Sequence, residues 1–147
     1  MKQTKKQYQE YVEKKSPKSP ILKNVLFAFL VGGAISMLGQ FFMDFYANNL
    51  SMGKELSRTT TSITLIFLSA LATGLGLYPK LARFAGAGTL VPITGFANAV
   101  ASAAIEFRRE GYVLGLAAKM FTIAGPVLVY GISSSIILGL FYFLFNL

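Results

Sequence analysis

The sequence predicts an all-α, polytopic membrane bundle of four to five segments, some of them broken by glycine and proline. Three observations predict it. The 147 residues are 54% hydrophobic and only 14% charged, against about 25% charged in an average soluble domain. Four apolar stretches stand out, at residues 24–46, 61–78, 89–105 and 112–147. Between residues 71 and 106, Gly74, Gly76, Pro79, Gly86, Gly88, Pro92 and Gly95 interrupt apolar sequence. In hydrocarbon every backbone N–H and C=O must be paired, so irregular backbone survives only where protein or a water-filled cavity surrounds it. Broken helices at membrane depth often line substrate and ion paths. Tight turns between ordinary close-packed helices would leave the same punctuation, and the residues alone leave both readings open.

Residues 1–23 form a basic tail that precedes a membrane domain over 24–147. The tail holds Lys2, Lys5, Lys6, Lys14, Lys15, Lys18 and Lys23 against Glu10 and Glu13. Beside a hydrophobic span such a cluster points to anionic lipid and cytoplasmic retention, so lipid rather than nucleic acid is the expected partner. Tyr8, Tyr11 and Val12 fit a short amphipathic helix on the membrane surface over 4–15; an unstructured tail is the alternative. Ser16-Pro17-Lys18-Ser19-Pro20 is a stiff elbow that blocks helix. The apolar run from Val25 lacks a small-x-small cleavage site before Asp44, so a retained first span is expected rather than a cleaved signal.

The first span, 24–46, is about 22 residues, or some 33 Å of helix. Gly32 and Ser36 lie at close-packing spacing on it. A polar loop follows over 47–60. The second span runs over 61–78 and is expected to end at Pro79, with Lys80 and Arg83 beyond it and a glycine-rich turn at Ala85-Gly86-Ala87-Gly88. The third span, 89–105, carries Pro92 in its first turn, where a missing N–H costs nothing. Gly95, Ala99 and Ala103 give it a small face for helix contact. A charged turn at 106–111 leads to the last segment, 112–147, which Gly125-Pro126 is expected to divide. With four crossings, the tail, Lys80 and Arg83 share one side, and Lys54, Arg58, Arg108 and Arg109 the other. Positive charge stays cytoplasmic, which makes the N-terminus cytoplasmic.

Catalytic chemistry has little to work with. There is no Cys and no His, and Asp and Glu together number six. That removes thiolate nucleophiles, Cys/His metal sites and His-based triads. Neither an enzyme, a cofactor nor a metal site is expected. Intramembrane polar groups usually face a bundle interior or a pathway, which singles out Gln40, Asn98, Glu106 and Lys119. Lys119 either attracts an anion or snorkels to the interface; Asn98 either lines a pore or joins helices. Glu106 reads as charge balance for Arg108 and Arg109. The Gly86–Gly88 turn, with free N–H groups at a helix start and Lys80 and Arg83 beside it, is a candidate anion-attracting entrance. Gly86, Gly88, Asn98 and Lys119 are the candidate path.

The run TGLGLYPKLARFAGAGTLVPITGFANAVASAAIEFRREGYVLGLAAKMFTIAGPV closely resembles the SpoVAC/SpoVAEb family of spore-forming Firmicutes. FAGAG, VPITGFANA, the acidic residue with its charged turn, and G-x-x-x-x-MF-x-IAG stand where that family has them, and FLVGG (29–33) with GQ (39–40) matches its first span. The likeness covers nearly the whole chain. The long basic tail and Phe96-Ala97-Asn98 look like the AC branch. The resemblance implies a channel-like subunit of the SpoVA system, which moves dipicolinic acid, generally with calcium, into the forespore and releases it at germination. It implies the spore inner membrane as location, other SpoVA proteins such as SpoVAD and SpoVAEb as partners, and dipicolinate as solute; homo-oligomerisation stays open. It carries over no catalytic or ligand residue. The competing reading is a non-conducting structural or assembly subunit. A channel needs a continuous polar path lined by groups such as Asn98, Ser102 and Gln40, whereas a scaffold buries them in hydrogen bonds between helices.

Overall fold

The computed structural model describes residues 5–16, 19–90 and 92–145. Pro17 and Lys18 of the elbow lie outside the described residues. Every element described is helical: α1 (Lys5–Lys15), α2 (Ile21–Asp44), α3 (Lys54–Gly74), α4 (Leu77–Ala85), α5 (Ala87–Leu90), α6 (Ile93–Phe107) and α7 (Ala118–Phe145). Two π-helical turns extend them, Phe45–Asn49 after α2 and Tyr112–Ala117 before α7.

The packing is that of a membrane protein, apolar outside and polar within. Most large apolar side chains face outward, and the buried hydrophobic residues are Tyr78, Ala85, Ala97 and Ala103. The buried polar residues are hydroxyls: Ser57, Thr61, Ser69, Thr73, Thr89 and Thr94. In lipid this is the favourable arrangement, since aliphatic surface gains nothing from burial there while each hydroxyl needs a partner. Each buried side-chain polar atom among the described residues has one. Two stretches, Ile21–Asn49 and Tyr112–Phe145, are long and apolar enough to cross a membrane, and α3 passes the same test only when it is taken together with α4.

The polar segment expected as a loop over 47–60 is partly helix, because α3 already starts at Lys54. Its Ser57, Thr59, Thr61, Ser62 and Thr64 hydroxyls donate to carbonyls four residues back, so polar composition does not stop the helix here. Nor does Pro79 end it. The stop lies at Gly74-Leu75-Gly76, where Gly76 takes the left-handed conformation (φ +70°) and its N–H donates to Thr73 O at 2.9 Å. This is a glycine C-cap. Pro79 sits in the first turn of α4, where its missing N–H has no partner to lose. The chain turns by 101° between α3 and α4. The helix α4 carries Leu77, Leu81 and Phe84 outward with Lys80 and Arg83, the pattern of a helix lying in the membrane interface.

The helix α2 runs antiparallel to α3. Tyr46 OH and Thr64 Oγ1 are hydrogen-bonded at 2.8 Å, and a Cβ on Gly39 would meet Leu65. The third segment behaves differently. Ser69 Oγ donates to Thr94 O at 2.6 Å, and Thr73 Oγ1 lies 2.9 Å from Asn98 Oδ1. Both pairs have the same offset of 25 residues, so α3 and α6 run in the same sense where they touch. Consecutive crossing helices would run in opposite senses. The chain therefore leaves α3, travels along the interface as α4, dips beside α2 as α5, and turns back as α6. The segment over 89–105 is a re-entrant hairpin, not a crossing. Its break at Gly86–Gly88 is where the sequence places it: α4 stops at Ala85, and Gly86 has φ +49°.

Two further boundaries move. Pro92 caps α6 from outside, with extended backbone, instead of sitting within its first turn. The expected break at Gly125-Pro126 is absent, because α7 continues through Pro126. A proline removes one hydrogen bond, whereas leaving the helix in lipid would free several more backbone groups. The Phe121 ring also covers Gly125, 3.2 Å from where a Cβ would lie. From Pro126 to Phe145 every residue of α7 is exposed.

Candidate functional site

The re-entrant hairpin is the irregular part of the membrane domain, and the candidate site is built on it. Its entry is held by glycine. Gly88 is buried against α2, where a Cβ on it would strike Ala28 O and come 2.8 Å from Ala28 Cα. A Cβ on Gly32, from the other side, would be 3.3 Å from Gly88 O. The two glycines expected in separate roles thus form one contact: Gly88 has no room for a side chain against α2, and one on Gly32 would crowd Gly88 O.

The interior is a chain of hydroxyls joining α3, α4, α5 and α6. Tyr78 OH donates to Thr89 O at 2.9 Å and lies 3.0 Å from Thr94 Oγ1. Thr89 Oγ1 donates to Gly86 O at 3.0 Å. Ser69 closes onto Thr94 O, and Thr73 Oγ1 donates to Ser69 O at 2.7 Å. Thr73 Oγ1 also donates to Asn98 Oδ1 at 2.9 Å, so its one hydrogen is shared between an acceptor on its own helix and one on α6. Tyr78 is the hub of this network, and sequence reasoning missed it because it stands in a run read as the end of a span. The spacing of Ser57, Thr61, Ser69 and Thr73, in steps of four and eight residues, was the signal for the buried face of α3.

The other expected residues divide between two places. Lys80 and Arg83 are exposed on α4, and Arg83 with Gly86 lines a cleft against Asn24 near the start of α2. These residues therefore lie beside the start of α2, where the basic tail joins it. Lys119 is elsewhere: its Nζ stands 4.5 Å from the centre of the Phe107 ring, at the end of α6, about 21 Å of helix rise from Ile93. Because α6 turns back, that end also returns towards the face of Arg83. Gly86, Gly88 and Asn98 thus lie along the hairpin, and Lys119 stands beside its far end. Gln40 is exposed and donates to Asp44 Oδ1 at 2.8 Å, and Ser36 Oγ donates to Gly32 O at 3.0 Å, each within α2. Gly95 and Ala103 are buried and Ala99 half-buried. The Gly95 contact is with the connection from α5, since a Cβ there would meet Thr89 O, and Leu90 O at 2.6 Å.

Comparison with known proteins adds the following. Residues 24–141 match the model of a family described as SpoVAC/SpoVAEB sporulation membrane protein. The chain is similar to stage V sporulation protein AC of Bacillus subtilis (strain 168), 44% identical over 142 residues, which cover 97% of this chain and 95% of that protein. No solved structure matches the chain. The matched region takes in every element from α2 to most of α7, including the whole hairpin.

Proposed function

The chain belongs to the SpoVAC/SpoVAEB family of sporulation membrane proteins, and on that premise we propose that it is a channel subunit of the SpoVA system. In this reading it moves dipicolinic acid, with calcium, into the forespore and out at germination. The observation that carries the reading is the re-entrant hairpin: a short helix, a glycine contact and a hydroxyl network inserted at membrane depth, where irregular backbone is tolerated only inside protein or beside water. Lys80 and Arg83 at its mouth favour an anion. Gly86 and Gly88 lead inward to Asn98, and Lys119 supplies a further positive charge.

These residues serve only the half of the membrane next to the tail. The other half of the route is left to neighbours, either further copies or other SpoVA proteins such as SpoVAD and SpoVAEb, for which the bare length of α7 offers surface. The location proposed is the spore inner membrane, with the basic tail (1–23) cytoplasmic and the membrane domain over 24–147. The re-entrant fold supports that orientation, because Arg108 and Arg109 now return to the tail side and only Lys54 and Arg58 remain opposite.

The hydrogen bond between Thr73 and Asn98 favours a second reading, a non-conducting assembly subunit, since it uses a candidate pore residue to join two helices. One experiment separates the two. The purified protein, alone and with the other SpoVA proteins, is placed in liposomes loaded with dipicolinate, and efflux is followed with and without an osmotic downshift. Release above protein-free liposomes supports the channel. Leak-free liposomes in every combination would leave the assembly role.

A further inference from the structure

Two clefts meet on the outer face between α2 and the α4–α5 corner. One, of about 390 Å³, opens beside Asn24 and Arg83. The other, of about 360 Å³, continues past Gly33 and Ser36 to Pro92. Ala28 and Ala87 line both, so they form one groove. From Asn24 to Ser36 the groove follows α2 for about 18 Å, close to the ~15 Å depth of hydrocarbon in one leaflet.

The chemistry changes along it. Among the described residues, Arg83 has no carboxylate within ion-pair distance. Its guanidinium is free to take a phosphate through two parallel N–H···O bonds, and the Asn24 side chain stands on the opposite wall. Below them the walls are mostly apolar, Val25, Phe29, alanine, glycine and Pro92 with the one hydroxyl of Ser36, and carry no further charge. An amphiphile with one charged end and an apolar tail fits the whole length.

We propose that this groove holds one anionic phospholipid, its phosphate on Arg83 and Asn24 and one acyl chain lying along Ala28, Gly33 and Ser36. Basic pockets between membrane helices take lipid headgroups in this way. The bound lipid covers the seam where α5 meets α2 and so joins the hairpin to the first span. The proposal does not depend on whether the protein conducts.

Native mass spectrometry of the full-length protein in detergent tests it, with phosphatidylglycerol and phosphatidylcholine titrated separately. The parent should retain one phosphatidylglycerol in preference to phosphatidylcholine. Arg83→Gln should weaken phosphatidylglycerol binding about tenfold, the factor that follows from losing 1.4 kcal/mol, and leave phosphatidylcholine unchanged. Gly33→Leu should displace both, because its side chain grows into the slot; a Cβ there meets no atom within 4 Å, so the fold is spared. Ser36→Leu is the second filling variant should the first fail to fold. Parental phosphatidylglycerol binding by Arg83→Gln would overturn the headgroup assignment. Equal retention of the two lipids by the parent would do the same for the charge, and parental binding by the filling variants would remove the acyl slot.

Discussion

Gly88 lies so close to Ala28 that a methyl group in place of its α-hydrogen would sit 2.8 Å from the Ala28 Cα. Backbone cannot move aside as a flexible side chain can. The contact therefore fixes how deeply α5 enters, and the depth of α5 sets the height at which α6 begins.

Gly88→Ala should destabilise the protein by about 1–3 kcal/mol through overpacking. Gly131→Ala, on the bare part of α7 where a Cβ meets nothing, should leave it unchanged. Melting in detergent compares the two; equal melting temperatures would mean that α5 does not press on α2.

The bond between Thr73 and Asn98 should show as coupling in a double-mutant cycle of Thr73→Val and Asn98→Leu. Interhelical hydrogen bonds inside membrane proteins average about 0.6 kcal/mol, with a ceiling near 1.7. If the pair seals a conducting path, Asn98→Leu should also change dipicolinate efflux from liposomes. Zero coupling would separate the two helices at this point.

Ala99→Leu adds bulk to a half-buried position of α6 and should cost about 1–3 kcal/mol. Parental thermal stability in detergent would mean that this position faces open lipid.

Lys119→Gln keeps length and polarity but removes the charge over Phe107. Loss of the cation–π contact should cost about 0.5–1 kcal/mol, small enough for the protein to accumulate in the membrane. On the channel reading, spores carrying it should release or load dipicolinate more slowly. Phe107→Leu removes the same contact and keeps the charge, so a defect confined to Lys119→Gln assigns the effect to the charge. Parental rates in both variants would take Lys119 out of the route.

A peptide of residues 5–23 should bind anionic vesicles and leave them as salt rises, since each Lys near such a surface contributes about 1 kcal/mol over a Debye length of about 10 Å at 0.1 M salt. In the structure Tyr8, Tyr11 and Val12 are exposed on α1, available to seat the helix. Equal binding to neutral vesicles would assign the attraction to those apolar side chains instead.

What the sequence reveals and what it hides divide along physical lines. The stop at Gly86–Gly88 is legible because only glycine takes the backbone at Gly86 and only glycine fits at Gly88. The proline at 126 misleads, because a proline's missing bond is a local loss and lipid makes leaving the helix dearer still. The direction of α6 is hidden for another reason. A helix of 15 residues has the same composition whether it crosses or turns back. Its sense is settled by which hydroxyls of α3 meet Thr94 and Asn98, a matter of pairing across 25 residues. Asn98 and Lys119 stand out as isolated polar groups in apolar sequence, and that signal does not show that Asn98 already has a partner in Thr73.

The hydroxyls of α3 carry a consequence for how the protein is made. Thr61, Thr64 and Thr73 each donate to the carbonyl four residues before them, so α3 can enter the bilayer alone with those donors occupied. The Asn98 amide has no such resource within its own helix, yet it emerges from the ribosome after Thr73. The Asn98 amide thus arrives to find Thr73 in position, whereas Ser69 and Tyr78 are made before Thr94 and Thr89 complete their bonds. Swapping the order of the two segments by circular permutation would ask the amide to wait in hydrocarbon. For this pair of helices the chain order is in that sense an assembly schedule, written in the direction of synthesis.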